Sequence, residues 1–154
     1  MIRYGILGFG LHAVRRLMPG FALASNSRVT ALSRRDVKQA QASAAEYKIP
    51  HAFDSAADLC RSPEVDAIFV ATPDYSHFKD VLVAIESGKP VLCEKPMGMN
   101  AGECRQMMEA ARLAWCTSEI YHNPRIRLFG PFTFLPLVRS TSVQSRRPQR
   151  GEPS

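Results

Sequence analysis

Apolar positions along the first 114 residues follow two alternating rhythms. Short, largely apolar runs of strand length occur at Tyr4–Leu7, Val29–Leu32, Val65–Ala71 and Pro90–Cys93. Between them, apolar side chains recur three and four residues apart, the spacing that gathers one face of a helix. The sets are Ala13, Val14, Leu17, Met18 and Phe21; Val37, Ala40, Ala44 and Tyr47; Phe78, Val81, Leu82 and Ile85; and Cys104, Met107, Met108 and Ala111. Ile49–Phe53 reads as a brief extra strand, and Ser55 as the cap of a short helix through Leu59, with Asp58 at the capping-box position. Pro19-Gly20 is expected to end the first helix and Gly88 to close the one after Val65–Ala71. Asn100, with Glu103 three residues on, is expected to cap the last helix. Val65–Ala71 is almost wholly apolar, as a parallel strand covered on both faces requires. Strand–helix alternation with right-handed crossovers predicts an α/β fold, a doubly wound parallel sheet.

In such a sheet the ligand lies beyond the carboxyl ends of the strands. The first strand runs into Gly8-Phe9-Gly10-Leu11-His12-Ala13, a G-x-G-x-x-A pattern. There Gly8 makes the tight turn, Gly10 lets a pyrophosphate approach the main chain, and Ala13 lets helix and strand pack closely. The following helix N-terminus offers free N–H groups and partial positive charge. Thr72–His77 and Glu94-Lys95-Pro96 leave the ends of two further strands. At the tip of the second strand stand Ser33, Arg34 and Arg35, with Lys38 one turn past Arg34. An NAD site usually places a carboxylate there, which would repel a 2′-phosphate; a hydroxyl and cations would bind one. NADP is therefore favoured, with NAD the alternative.

The 154 residues, 45% hydrophobic and 22% charged, suit one globular unit with its own core. No apolar run approaches the ~20 residues of a membrane span. Met1-Ile2-Arg3 leads straight into a strand, so no signal peptide is expected and a cytoplasmic location is. Cys60, Cys93, Cys104 and Cys116 show no C-x-x-C spacing and are expected to be reduced thiols, not disulfides or a metal site. The net charge of +6 raises the question of nucleic acid, but its distribution answers it. Residues 1–120 hold 14 Lys and Arg against 13 Asp and Glu, or +1, whereas residues 121–154 hold six Arg against one Glu, or +5. The basic character belongs to the tail.

Taken in order, Gly8-Phe9-Gly10, Ser33-Arg34, Ala71-Thr72-Pro73-Asp74 with His77, and Glu94-Lys95-Pro96 resemble the Gfo/Idh/MocA family. Its members are NAD(P)-dependent oxidoreductases of sugars, cyclitols and related polyols. The resemblance runs along about residues 1–114 and implies a Rossmann domain, to which the family adds a C-terminal α/β substrate domain. It implies Lys95 as the catalytic residue, its ammonium aimed at the oxygen of the reacting carbon while hydride moves to or from the nicotinamide. Glu94 would contact the nicotinamide ribose, and Ala71, Thr72 and Pro73 the middle of the cofactor. Gly8, Phe9, Gly10, Leu11, His12, Ser33, Arg34, Arg35, Lys38, His77 and Lys95 complete the expected cofactor-binding set, with no metal. Plainer roles are open for several of these. His77 can orient backbone, and His12 can be an ordinary first-turn residue. Met97, Met99, Met107 and Met108 read as core filler, and His51 and His122 have no identifiable partner.

One family feature is missing. Members carry a downstream D-x-x-x-H stretch, and none occurs here. A poor strand over Trp115–Tyr121 gives way to scattered Arg, Pro and Ser. The expected division is a dinucleotide-binding domain over 1–121 and an irregular basic tail over 122–154, disordered from about Ser140, at a truncated or frame-shifted gene end. The expected function is the cofactor-binding half of a hydride-transferring oxidoreductase, with little turnover alone. A sugar or polyol substrate is expected only once the missing domain is supplied. Apolar surface near Trp115 and Phe129–Leu137 would favour self-association. The alternatives are a non-catalytic NADP-binding or redox-sensing module, and a subunit complemented by a separate substrate domain. Nucleic-acid binding through the tail ranks lowest.

Overall fold

The short apolar runs become strands of one parallel sheet. The structure, a computed structural model, describes residues 1–117. The expected tail, the apolar segment Phe129–Leu137 and the part of the Trp115–Tyr121 strand past Thr117 lie outside the described residues. The strands are β1 (Ile2–Leu7), β2 (Ser27–Ser33), β3 (His51–Phe53), β4 (Ala67–Val70) and β5 (Val91–Cys93), in the order β3-β2-β1-β4-β5. Every pairing is parallel. The helices are α1 (Met18–Leu23), α2 (Val37–Tyr47), α3 (Ala56–Arg61), α4 (Asp74–Glu86) and α5 (Ala101–Thr117). The chain builds outward from β1 to β3, then crosses back to β4 and β5, which opens a crevice between β1 and β4.

Alternation along the strands divides the core in two. Ile6 and Leu32 face one side with Phe9, Ala13, Ala40, Ala44 and Ile49. Leu7, Ala31, Ile68 and Val70 face the other with Leu59, Val81, Ile85 and Met107. Covering both faces removes these side chains from water at ~1.5–3 kcal/mol for each large one. Helix starts are fixed by side chains. Asp36 accepts the Gln39 N–H at 2.9 Å, and the Ser55 hydroxyl accepts the Asp58 N–H at 3.3 Å. Asn100 accepts the Glu103 N–H at 3.0 Å, while the Glu103 carboxylate accepts the Met99 N–H at 2.8 Å.

Three local expectations are corrected. Pro19-Gly20 does not end the first helix. A π-helical turn, Ala13–Leu17, runs into α1, and the Met18 N–H bonds to the Ala13 carbonyl five residues back. Pro19 then falls in the opening turn of α1, where its missing N–H is not needed. Tyr4 pins the segment to β1 through Phe21, ring centroids 5.2 Å apart. Met99 and Met108 are not core filler, being 56% and 50% exposed; Met107 is buried in the core, and Met97 packs against that core, partly buried. No strand begins at Trp115, because α5 continues through Thr117.

The amino end of the sheet, away from the crevice, is tied by charge. Arg3 donates to both oxygens of Asp66 at 3.0 and 2.7 Å, and to Glu64 at 3.1 Å. The Lys89 ammonium donates to the carbonyls of Ser62 and Val65. Hydrogen bonds from Arg3, with its charge and that of Lys89, hold the Asp66 carboxyl below its ordinary value against the opposing effect of burial. A depressed folded-state value means that the stability is present above the unfolded aspartate range near ~3.9 and lost as pH falls through the folded value. Arg3→Ala should therefore lower the urea midpoint at neutral pH, and the gap from wild type should close below about pH 4. A gap independent of pH would refute the linkage.

Candidate functional site

Because all five strands are parallel, their carboxyl ends share one edge, and the loops that leave them meet there. A cleft of about 860 Å³ is lined by Leu7–His12, Ser33–Asp36, Gln39, Asp54, Ala56, Ala71–Pro73, Tyr75, Ser76, Lys79 and Asp80. It thus gathers Gly8, Phe9, Gly10, Leu11, His12, Ser33, Arg34, Arg35, Ala71, Thr72 and Pro73 from three separate strand tips. Lys38, Glu94 and Lys95 do not line it, Lys38 and Lys95 being exposed and Glu94 half-buried.

Main-chain hydrogen bonds lock the tips together. The Ala71 N–H bonds to the Leu7 carbonyl at 2.9 Å, and the Phe9 N–H to the Ser33 carbonyl at 2.9 Å. Gly8 has φ +80°, a left-handed conformation that favours glycine. Its neighbour Phe9 turns its ring inward, 1% exposed, onto Tyr47 at 5.4 Å. Phe9 therefore shapes the cleft through its backbone. At Gly10 the space is open: an added Cβ would meet only the Gly8 carbonyl oxygen, at 3.9 Å. The first helical bond runs from the Val14 N–H to the Gly10 carbonyl, so the Leu11 and His12 N–H groups precede it. A bare main chain beside unclaimed donors is what a pyrophosphate fits.

Two histidines connect these loops in ways that sequence spacing did not reveal. His12 Nε2 lies 2.9 Å from Glu94 Oε1, joining the glycine turn to the Glu94-Lys95-Pro96 loop. Burial pushes the Glu94 carboxyl up, but the His12 hydrogen bond, the Lys95 N–H and the charges of both residues outweigh it and hold the carboxyl low. His77, expected to contact the cofactor, is 2% exposed and does not line the cleft. Its Nε2 lies 2.8 Å from the Thr72 carbonyl oxygen and its Nδ1 2.7 Å from that of Pro96. With both ring nitrogens taken up by main chain, His77 holds two site loops in place from beneath.

Asp80 was not singled out from the sequence. It is buried on the inner face of α4 and accepts the Thr72 hydroxyl at 2.7 Å. A carboxylate one turn past His77 on an otherwise apolar face was the available signal. Gln39 and Ser43 also escaped notice, and both hold Arg34. Burial pushes the thiols of Cys60 and Cys93 up to about 12, which leaves them protonated and unreactive. Among the described residues no group of His, Cys, Asp and Glu is placed to hold a metal, and no helix is long and apolar enough to cross a membrane.

A parallel sheet in this order, with a glycine turn at the crevice, is a dinucleotide-binding Rossmann domain. Residues 2–122 match the Gfo/Idh/MocA oxidoreductase family, NAD-binding Rossmann fold, and the chain belongs to that family. Over 116 residues it is 38% identical to the trans-1,2-dihydrobenzene-1,2-diol dehydrogenase of Sus scrofa, covering 72% of this chain and 33% of that protein. Among solved structures, it is 32% identical to an aldose-aldose oxidoreductase from Caulobacter crescentus complexed with glycerol, at TM-score 0.67, covering 74% of this chain and 35% of that one. The 3-ketoreductase KijD10 from Actinomadura kijaniata, in complex with NADP and TDP-benzene, aligns at TM-score 0.68 and 26% identity, covering 73% and 34%. The chain spans about a third of the length of these relatives.

Proposed function

We propose that the cleft binds NADP in preference to NAD, and that the chain supplies the cofactor half of a hydride transfer to or from a sugar, cyclitol, polyol or related cyclic diol. The observation that carries the cofactor preference is the tip of β2, where Ser33, Arg34 and Arg35 line the cleft together. Three carboxylates line it as well, of which Asp80 is taken up by the Thr72 hydroxyl beyond β4, away from the β2 tip. Asp36, however, is engaged as the cap of α2, and Asp54 follows β3, one strand further out. The likeness to KijD10, whose structure holds NADP, adds support. The free thiols of Cys60, Cys93 and Cys104 suit a reducing compartment such as the cytoplasm.

When bound, the nicotinamide would supply or accept the hydride. The chain's own part is to fix the dinucleotide along the strand tips and to present the Lys95 ammonium to the substrate oxygen. Glu94, held by His12, would meet the nicotinamide ribose. Lys95 is exposed, so the walls that orient substrate and exclude water must come from outside residues 1–117. Such positioning is worth ~7–11 kcal/mol, so residues 1–117 by themselves should turn over sugars and polyols poorly. Inert thiols at Cys60 and Cys93 weigh against a redox sensor built on them.

Arg34→Ala tests the preference. Losing a charge-assisted hydrogen bond to phosphate removes ~1.5–3 kcal/mol. Calorimetric titration should show NADP weakened by roughly tenfold or more, with NAD unchanged. Equal affinities in the wild-type chain, or NAD ahead, would overturn the proposal.

A further inference from the structure

We propose that Gln39 and Ser43 on α2 determine cofactor specificity by clamping the Arg34 guanidinium through uncharged oxygens, so that it meets the 2′-phosphate pre-aimed and with its charge unneutralised. This rests on the NADP reading above and adds to it two residues that never need touch the cofactor's reactive end.

Arg34 is fixed at its backbone, whose N–H bonds to the Phe53 carbonyl at 3.1 Å. Its half-buried side chain turns back along α2. Nη1 donates to the Ser43 hydroxyl at 2.9 Å, and Nη2 donates to Gln39 Oε1 at 2.9 Å. Ser43 is buried, and the backbone of Gln39 is held by the bond from its N–H to the Asp36 cap. A guanidinium carries five N–H donors in one plane. Two are taken here, which leaves three for an incoming anion. Two anchor points settle a long, flexible side chain before the ligand arrives, so less freedom is lost on binding.

The nature of the anchors matters as much as their number. Among the described residues no carboxylate lies within ion-pair distance of Arg34. A carboxylate in either anchor position would pair with the guanidinium and repel a phosphate. A neutral amide and a hydroxyl hold the same geometry without that penalty. The cofactor without a 2′-phosphate would be indifferent to the difference.

Gln39→Glu makes the discriminating variant. It is nearly isosteric, and position 39 lies three residues after the Asp36 cap, where Glu is a preferred residue and the helix end favours negative charge. The fold should be kept, as far-ultraviolet circular dichroism and the melting temperature can verify. Calorimetric titration of the whole chain should show NADP weakened by about tenfold or more and NAD unchanged. Ser43→Ala keeps the charge whole but removes one of the two anchors, and should weaken NADP less than Gln39→Glu does. An NADP preference surviving intact in both variants overturns the clamp alone. So does an equal loss of NADP and NAD in Gln39→Glu, which would mark general damage to the cleft. A wild-type chain without NADP preference overturns the NADP reading, and the clamp as a specificity device with it.

Discussion

Gly10→Val abolishes dinucleotide binding and leaves the domain folded. The Cβ of any residue at position 10 enters open cleft, with only the Gly8 carbonyl oxygen nearby at 3.9 Å. Nothing in the protein resists the added side chain, so stability should change little. The same empty space is where a pyrophosphate must lie against the main chain to reach the Leu11 and His12 N–H groups. A branched side chain there holds the phosphates out of hydrogen-bond range. Calorimetry should detect no binding of NADP or NAD, while the urea midpoint stays near wild type. Retained affinity in the folded variant would show that the glycine turn is only a turn.

Gly8→Ala, two residues away, fails in the opposite manner. Its backbone sits at φ +80°, which disfavours any residue with a Cβ. The Cβ itself would lie 2.6 Å from Thr72 Cα and 2.7 Å from both Thr72 N and Cγ2. The obstruction is mainly backbone leaving β4, which cannot swing aside as a flexible side chain would. Left-handed strain of roughly 1–2 kcal/mol adds to overpacking of roughly 1–3 kcal/mol. The sum is on the order of 2–5 kcal/mol against the ~5–15 kcal/mol that holds a typical domain. Urea unfolding should therefore show a large drop in midpoint before any ligand is added. A midpoint equal to wild type would mean that β1 and β4 separate at their tips more easily than this packing allows.

The contrast between these glycines explains what could be read from the sequence. The G-x-G-x-x-A spacing placed the turn, and the apolar runs placed all five strands, because strand burial and local backbone freedom are written in neighbouring residues. Gly8's contact with Thr72 was not legible, since 64 positions of chain separate the pair and only the parallel pairing of β1 with β4 joins them. The same holds for His12 with Glu94 and His77 with Pro96, where a lone histidine gives no sign of its partner. The passage of the first helix through Pro19-Gly20 went unforeseen for a local reason. A π-helical turn shifts the hydrogen bonding so that proline enters at a tolerated position, and no residue pattern announces that shift. Arg34 was found by its place after β2, whereas Gln39 and Ser43 looked like ordinary polar residues of α2. Their role depends on the arginine folding back over the helix.

Titrating the isotope-labelled chain with NADP while following its backbone amide resonances tests the central claim most directly. Binding in the cleft predicts shifts concentrated at Gly8–Ala13, Ser33–Arg35, Ala71–Thr72 and Glu94, with the amides of Arg3, Asp66 and Lys89 at the far end of the sheet unmoved. Shifts centred on that far end, or none with either NADP or NAD at saturating concentration, would contradict it.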